Sequence, residues 1–178
     1  MYNDEQFATS LEQRSLLSVA RQEIEQLRRW YAHATDLLGR THDAEARLRA
    51  TNIYKRIFTS DVEASVVGGV RALKGTGPEA WKSVATQALE PFVATQHLIG
   101  SQVVWFERVV FAGDALQEGQ ANMLSYVRAA HVWPNRMERV VLGTYQDAVV
   151  LVPEVGWQIR RMVLEFASEE HRQMGELT

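Results

Sequence analysis

The sequence predicts an α+β fold: three N-terminal helices packed against a curved antiparallel sheet. Two observations carry this. A helical period runs through the first third of the chain, and strand-like segments dominate from about Thr95 onward, divided by turn signals. Helices first and a meander of strands afterwards is the order of an α+β domain. At 178 residues the chain suits one domain with a sizeable core.

The first helix is read from Leu16, Ala20, Ile24, Leu27, Tyr31, Ala34 and Leu38, which recur at three- and four-residue steps and form one apolar stripe. Gly39 is placed to stop it through a left-handed cap. A second helix starts at Thr41 or Asp43 as N-cap and runs through Leu48, Ile53 and Ile57, ending near Thr59, Ser60 and Asp61. Val62–Val67 then reads as a short strand closed by Gly68 and Gly69. Lys74, Gly75, Thr76 and Gly77 read as a loop into a third helix, with Pro78 in its first turn and Trp81, Val84 and Leu89 along it. Four strands follow over Thr95–Val110, Ala115–Arg128, Val140–Val152 and Trp157–Phe166. Gly113-Asp114, His131–Asn135 with its Pro134, and Pro153–Gly156 separate them.

Composition removes several function classes. A net charge of -3 offers no basic field for nucleic acid or anionic lipid. The chain has no cysteine, which excludes disulfides and thiolate metal sites. The stretch MYNDEQFATS lacks the apolar core of a signal peptide, and no apolar run approaches the ~20 residues that span a bilayer, so a cytoplasmic protein is expected. No glycine-rich phosphate loop, HExxH or GxSxG occurs, and the five histidines show no metal-ligand spacing. The expectation is therefore no cofactor and no metal.

A helix-and-curved-sheet layout often encloses a cavity, so the site candidates are polar residues on inward faces. On the first long strand His97, Ile99, Ser101, Val103 and Trp105 share one face by alternation. His97 there is either a hydrogen-bonded core histidine or a proton carrier. On the third long strand Gly143, Tyr145, Asp147 and Val149 alternate together; Tyr145 can donate to a substrate oxygen and Asp147 can orient a partner. On the second, Gln120, Asn122, Leu124, Tyr126 and Arg128 oppose Ala121, Met123, Ser125 and Val127, and a one-residue slip inverts which set faces inward. Asp36 falls roughly opposite the Leu27–Tyr31–Ala34 stripe, so periodicity alone places it toward solvent.

The segments LRRWYAHATD (27–36), IYKRIFTSDV (53–62), TQHLIG (95–100), GTYQD (143–147) and GWQI (156–159) follow one another at characteristic distances. Together, over about Leu16 to Phe166, they resemble the SnoaL-like group of the nuclear transport factor 2 superfamily. The resemblance implies a cone-shaped α+β barrel in a single domain. The TQHLIG stretch is similar to that of the scytalone dehydratase branch, which implies His97 as general base and Asp36 as the carboxylate that orients it. The same pairing recurs in the dehydrochlorinase of hexachlorocyclohexane, and other relatives include polyketide cyclases, steroid isomerases and a diarylpropane lyase that releases formaldehyde. The chain departs from the dehydratase at Thr35, where that branch carries a tyrosine. The dehydratase's second histidine has its nearest counterparts around Tyr126, with His131 a few residues on. Where the dehydrochlorinase carries an arginine after its GTY segment, this chain reads AVVLVPEV.

These readings imply a lyase, dehydratase or isomerase that needs no cofactor and acts on a small hydrophobic aromatic or polycyclic compound, such as a lignin-derived diarylpropane. His97, Asp36 and Tyr145 are the expected catalytic residues, and Tyr126, Asn122, Tyr54, Tyr31 and Trp105 the expected substrate contacts. A homo-oligomer, trimer or dimer, is expected by resemblance. The alternative is a binding or assembly module without catalysis, since fold alone does not fix function. The small subunit of a ring-hydroxylating dioxygenase shares the fold but leaves the Asp–His pair unexplained.

Overall fold

The computed structural model describes residues 6–69 and 72–175. Met1–Glu5, the start of the polar N-terminal stretch, lie outside that range. Three helices, α1 (Leu11–Leu38), α2 (Ala44–Ile57) and α3 (Pro78–Leu89), pack on a six-stranded sheet. Its strands are β1 (Phe58–Val67), β2 (Leu73–Thr76), β3 (Ala94–Ala112), β4 (Ala115–Val132), β5 (Met137–Val152) and β6 (Gly156–Gln173). Their order is β2-β1-β6-β5-β4-β3, so β2 and β3 are edges and the cone is not closed. Neighbours run antiparallel except β1 and β6, which are parallel.

Local chemistry sets the helix ends. Ser10 and Gln13 form a reciprocal capping box that starts α1, and the Asp43 side chain accepts the Ala46 N–H to start α2. Pro78 opens α3 after Gly77, whose φ of 83° only glycine adopts readily. The buried stripe of α1 includes Leu17, Ala20, Ile24, Leu27, Tyr31, Ala34 and Leu38, and it packs into the concave face of the sheet. No described helix is long and apolar enough to cross a membrane.

Several expectations need correction. Gly39 is right-handed (φ -63°), so its value is space: a Cβ there would lie 2.8 Å from Thr95 Oγ1. Thr59–Asp61 do not trail a helix but belong to β1, because its pairing begins at Phe58, opposite Ile159. Lys74–Thr76 form part of strand β2, not a loop, paired along Glu63–Val66. The long strands also run past their expected ends, and β4 includes His131. Alternation of small and apolar side chains continues through Ala129 to that histidine, and the turn starts only after Val132.

The largest correction lies within β3. Ile99 pairs with Val127, but Gln102 pairs with Ser125, so β3 holds one extra residue there. Thr95, His97 and Ile99 face inward before the bulge, and Val104 and Phe106 face inward after it. Alternation counted straight through from His97 therefore puts Val103 and Trp105 on the wrong side.

Candidate active site

Asp36 reaches the site because β3 is the last strand of the sheet. The outer edge of such a strand has N–H groups with no strand partner, and the end of α1 lies against it. Asp36 Oδ2 accepts the His97 backbone N–H at 3.1 Å, while Oδ1 lies 2.6 Å from His97 Nδ1 and accepts from Thr95 Oγ1 at 3.2 Å. A carboxylate only accepts, so it fixes the proton on Nδ1 and leaves the Nε2 lone pair for chemistry. The side chains are 8% and 26% exposed, so the pair is sheltered without being sealed. Periodicity placed Asp36 toward solvent; the edge strand wraps that side of the helix.

His97 lines a cavity of about 560 Å³ between the helices and the concave sheet. Tyr31, Thr35, Trp81 and Tyr145 line one part of it, and Val127, Val141 and Leu164 form apolar wall. Such a volume with a few convergent polar groups suits a small hydrophobic ligand.

His131 stands beside the pair, its ring centroid 5.5 Å from that of His97 and nearly perpendicular to it. Burial, then the proximity of His97 and Arg139, lowers its pKa to about 3, so this imidazole stays neutral near pH 7. Its buried Nδ1 has no hydrogen-bond partner. Tyr145 is buried as well. Desolvation and the neighbouring Tyr31 push its phenol well above the ordinary range against the pull of Arg28, so it remains a neutral hydroxyl.

Beneath these tyrosines lies a buried ion pair. Arg28 Nε donates to Asp147 Oδ2 at 3.1 Å and a second, short contact joins Nη2 to Oδ1. The guanidinium sits 3.8 Å from the Tyr145 ring centroid and 4.6 Å from that of Tyr31. Burial opposes its charge, but Asp147 and the two rings outweigh that and hold Arg28 above its ordinary value. The pair therefore fixes the two tyrosines from below.

The expected site residues divide three ways. His97 and Asp36 meet, and Tyr145 and Tyr31 line the same cavity. Tyr54 is buried one layer behind, stacked on Tyr31 at 5.5 Å and 2.8 Å from Thr35 Oγ1, so it braces the wall and is not a substrate contact. Tyr126, Asn122 and Trp105 are corrections, because all three lie on the outer face. Tyr126 is 55% exposed, and Glu107 Oε1 accepts from both Asn122 Nδ2 and Trp105 Nε1, at 2.7 and 2.9 Å. The small and apolar set of β4 faces inward, and the β3 bulge turns Trp105 out.

Arg28, Trp81 and Arg139 were missed as parts of the site. The signal for Arg28 was present: it lies on the stripe between Ile24 and Tyr31, a charge where an apolar residue is expected, with Asp147 on an inward face to answer it.

Helices laid into an unclosed conical sheet, with an Asp–His pair at a cavity between them, place the protein in a broad class of small pocket-bearing α+β domains. The chain belongs to the SnoaL-like domain family, which matches residues 19–163. No functionally curated protein matches the sequence. Among solved structures it is similar to a candidate scytalone dehydratase from Novosphingobium aromaticivorans, at 20% identity and a TM-score of 0.63, covering 91% of this chain and 93% of that one. A hexachlorocyclohexane dehydrochlorinase from Novosphingobium barchaimii matches at 13% identity and TM-score 0.63, covering 95% and 99%. A nuclear transport factor 2-like protein from Salmonella enterica matches at 14% identity and TM-score 0.60, covering 85% and 94%. At these identities the likeness is one of fold.

Proposed function

We propose that the protein is a cofactor-independent lyase or dehydratase, or an isomerase, acting on a small hydrophobic aromatic or polycyclic compound. The observation that carries this is the 2.6 Å contact between Asp36 and His97 Nδ1 at the wall of a cavity of about 560 Å³. His97 Nε2 takes a proton from the substrate, and Asp36 stabilises the imidazolium that results, the orienting role a carboxylate plays in hydrolase triads. A positioned base contributes about 10²–10⁴-fold, so further stabilisation must come from other groups. Tyr145, a neutral phenol at the same cavity, donates to the oxygen that gains charge or leaves. Loss of water or of formaldehyde from an aromatic substrate fits these roles. The similarity to a dehydratase and a dehydrochlorinase supports this reading at the level of fold.

The test is His97→Gln, in protein shown by circular dichroism to fold, with turnover measured across a panel of aryl alcohols and diarylpropanes. A drop of at least about 10²-fold is expected on any substrate the wild type turns over. Undiminished turnover would remove His97 as base. A homo-oligomer is part of the proposal too: Leu98, Tyr126 and Leu142 leave apolar surface on the outer sheet face. Sedimentation that gives only monomer removes it.

A further inference from the structure

The sheet register places polar residues in two adjacent rows at one end of the cavity. One row runs Thr95, His131, Arg139, His171 and the next His97, Ala129, Val141, Glu169, each crossing β3 to β6. Arg139 thus sits on the strand beside His131 and two strands from His97, and it lines the same cavity as both. Two strand spacings are about 9–10 Å at the backbone, a span that one bicyclic aromatic ligand can bridge.

The guanidinium is held but not used up. Arg139 Nη2 donates to Glu169 Oε2 at 2.8 Å, and its Cζ lies 5.7 Å from the Phe166 ring centroid. Glu169 is engaged on both oxygens, because Oε1 accepts from His171 Nε2 at 3.0 Å. Of the five guanidinium N–H groups, only one of the two on Nη2 has a side-chain acceptor among the described residues. Arg139 is 24% exposed, so part of its side chain stays open to water. A ligand filling the cavity displaces that water. The wall here is largely apolar, with Val141, Leu164 and Phe166, so a ligand that fills it and carries an acceptor keeps the remaining guanidinium donors paired.

We propose that Arg139 is a specificity-determining residue that takes a neutral hydrogen-bond-accepting oxygen of the aromatic substrate, such as an aryl carbonyl. This deepens the reading of the same site. Glu169 already balances the charge of Arg139, so the subsite suits a neutral acceptor; a carboxylate would meet Glu169 across the shared guanidinium.

The test compares two probes of one shape, 2-acetylnaphthalene and 2-isopropenylnaphthalene, which differ only in C=O against C=CH2. Binding is followed by quenching of tryptophan fluorescence, to which Trp81 in the cavity wall contributes. The ketone-to-alkene affinity ratio is expected to fall about tenfold in Arg139→Met relative to wild type, the effect of losing a hydrogen bond to a charged donor. If that variant does not fold, Arg139→Gln carries the same comparison. An unchanged ratio, or no ketone binding to wild type, overturns the proposal. His97→Gln should keep the wild-type ratio while losing turnover, so full turnover in that variant would sink the base assignment and leave Arg139 untouched.

Discussion

Acidification should weaken the fold through one imidazole. His131 is held at about 3 in the folded protein, against about 6.5 in an unfolded chain. Between those values the unfolded chain binds a proton that the native state refuses, so stability rises with pH across the window and falls as pH drops below about 6.5. Each unit is worth about 1.4 kcal/mol, which makes the loss about 2 kcal/mol by pH 5. Burial is the main cause, and His97 and Arg139 add to it, while Asp36 pulls the other way. The carboxyls of Glu169 and Glu79, held low by their cationic partners, act only below about pH 4.5, beneath the pH 5 at which this loss is counted. The assay is urea unfolding near pH 7.5 and pH 5, for wild type and for His131→Asn. Wild type should lose about 2 kcal/mol more than the variant between the two conditions. Parallel losses would show that His131 takes up its proton as readily folded as unfolded, and the account of its environment would fail.

Three further outcomes follow from the same geometry. Asp147→Ala strands the Arg28 guanidinium in the core and should cost about 3–5 kcal/mol by chemical denaturation; a loss under about 1 kcal/mol would mean that water reaches the charge. Gly39→Ala forces Thr95 away from Asp36, so turnover should fall several-fold with little change in melting temperature, and an unaltered rate would show that Thr95 is not needed to hold the carboxylate. Gly119→Ala would drive a methyl group into the Trp157 indole, for a cost of about 1–3 kcal/mol on unfolding, whereas a neutral result would mean that the indole shifts freely.

Much of this fold is legible in the chain because its patterns are local. The α1 stripe from Ala20 to Leu38, the Asp43 cap and Pro78 each need only a few neighbouring residues, and each stands where expected, while at the start of the helix Leu17 is buried in place of Leu16. The motifs around His97 and Asp36 also point to a pair that the structure brings together. What stayed hidden depends on distant partners. Asp36 looks solvent-facing until an edge strand from 61 residues further on is laid against it. Tyr126 and Asn122 sit on a strand whose two faces differ only by register, and that register is set by β3 and β5. Lys74–Thr76 look like a loop because so short an edge strand exists only through its pairing with β1. Arg28 and Asp147 are 119 residues apart, and neither announces the other.

The extra residue between Ile99 and Gln102 also divides β3 into two reading frames. Removing Gly100 would take out that excess and leave one regular strand, in which His97, Ile99, Gln102, Val104 and Phe106 keep both their inward face and their partners on β4. Losing two residues there would instead turn either His97 or Phe106 to the opposite face. A single-codon deletion at this spot should therefore be tolerated, while a double deletion abolishes chemistry or folding.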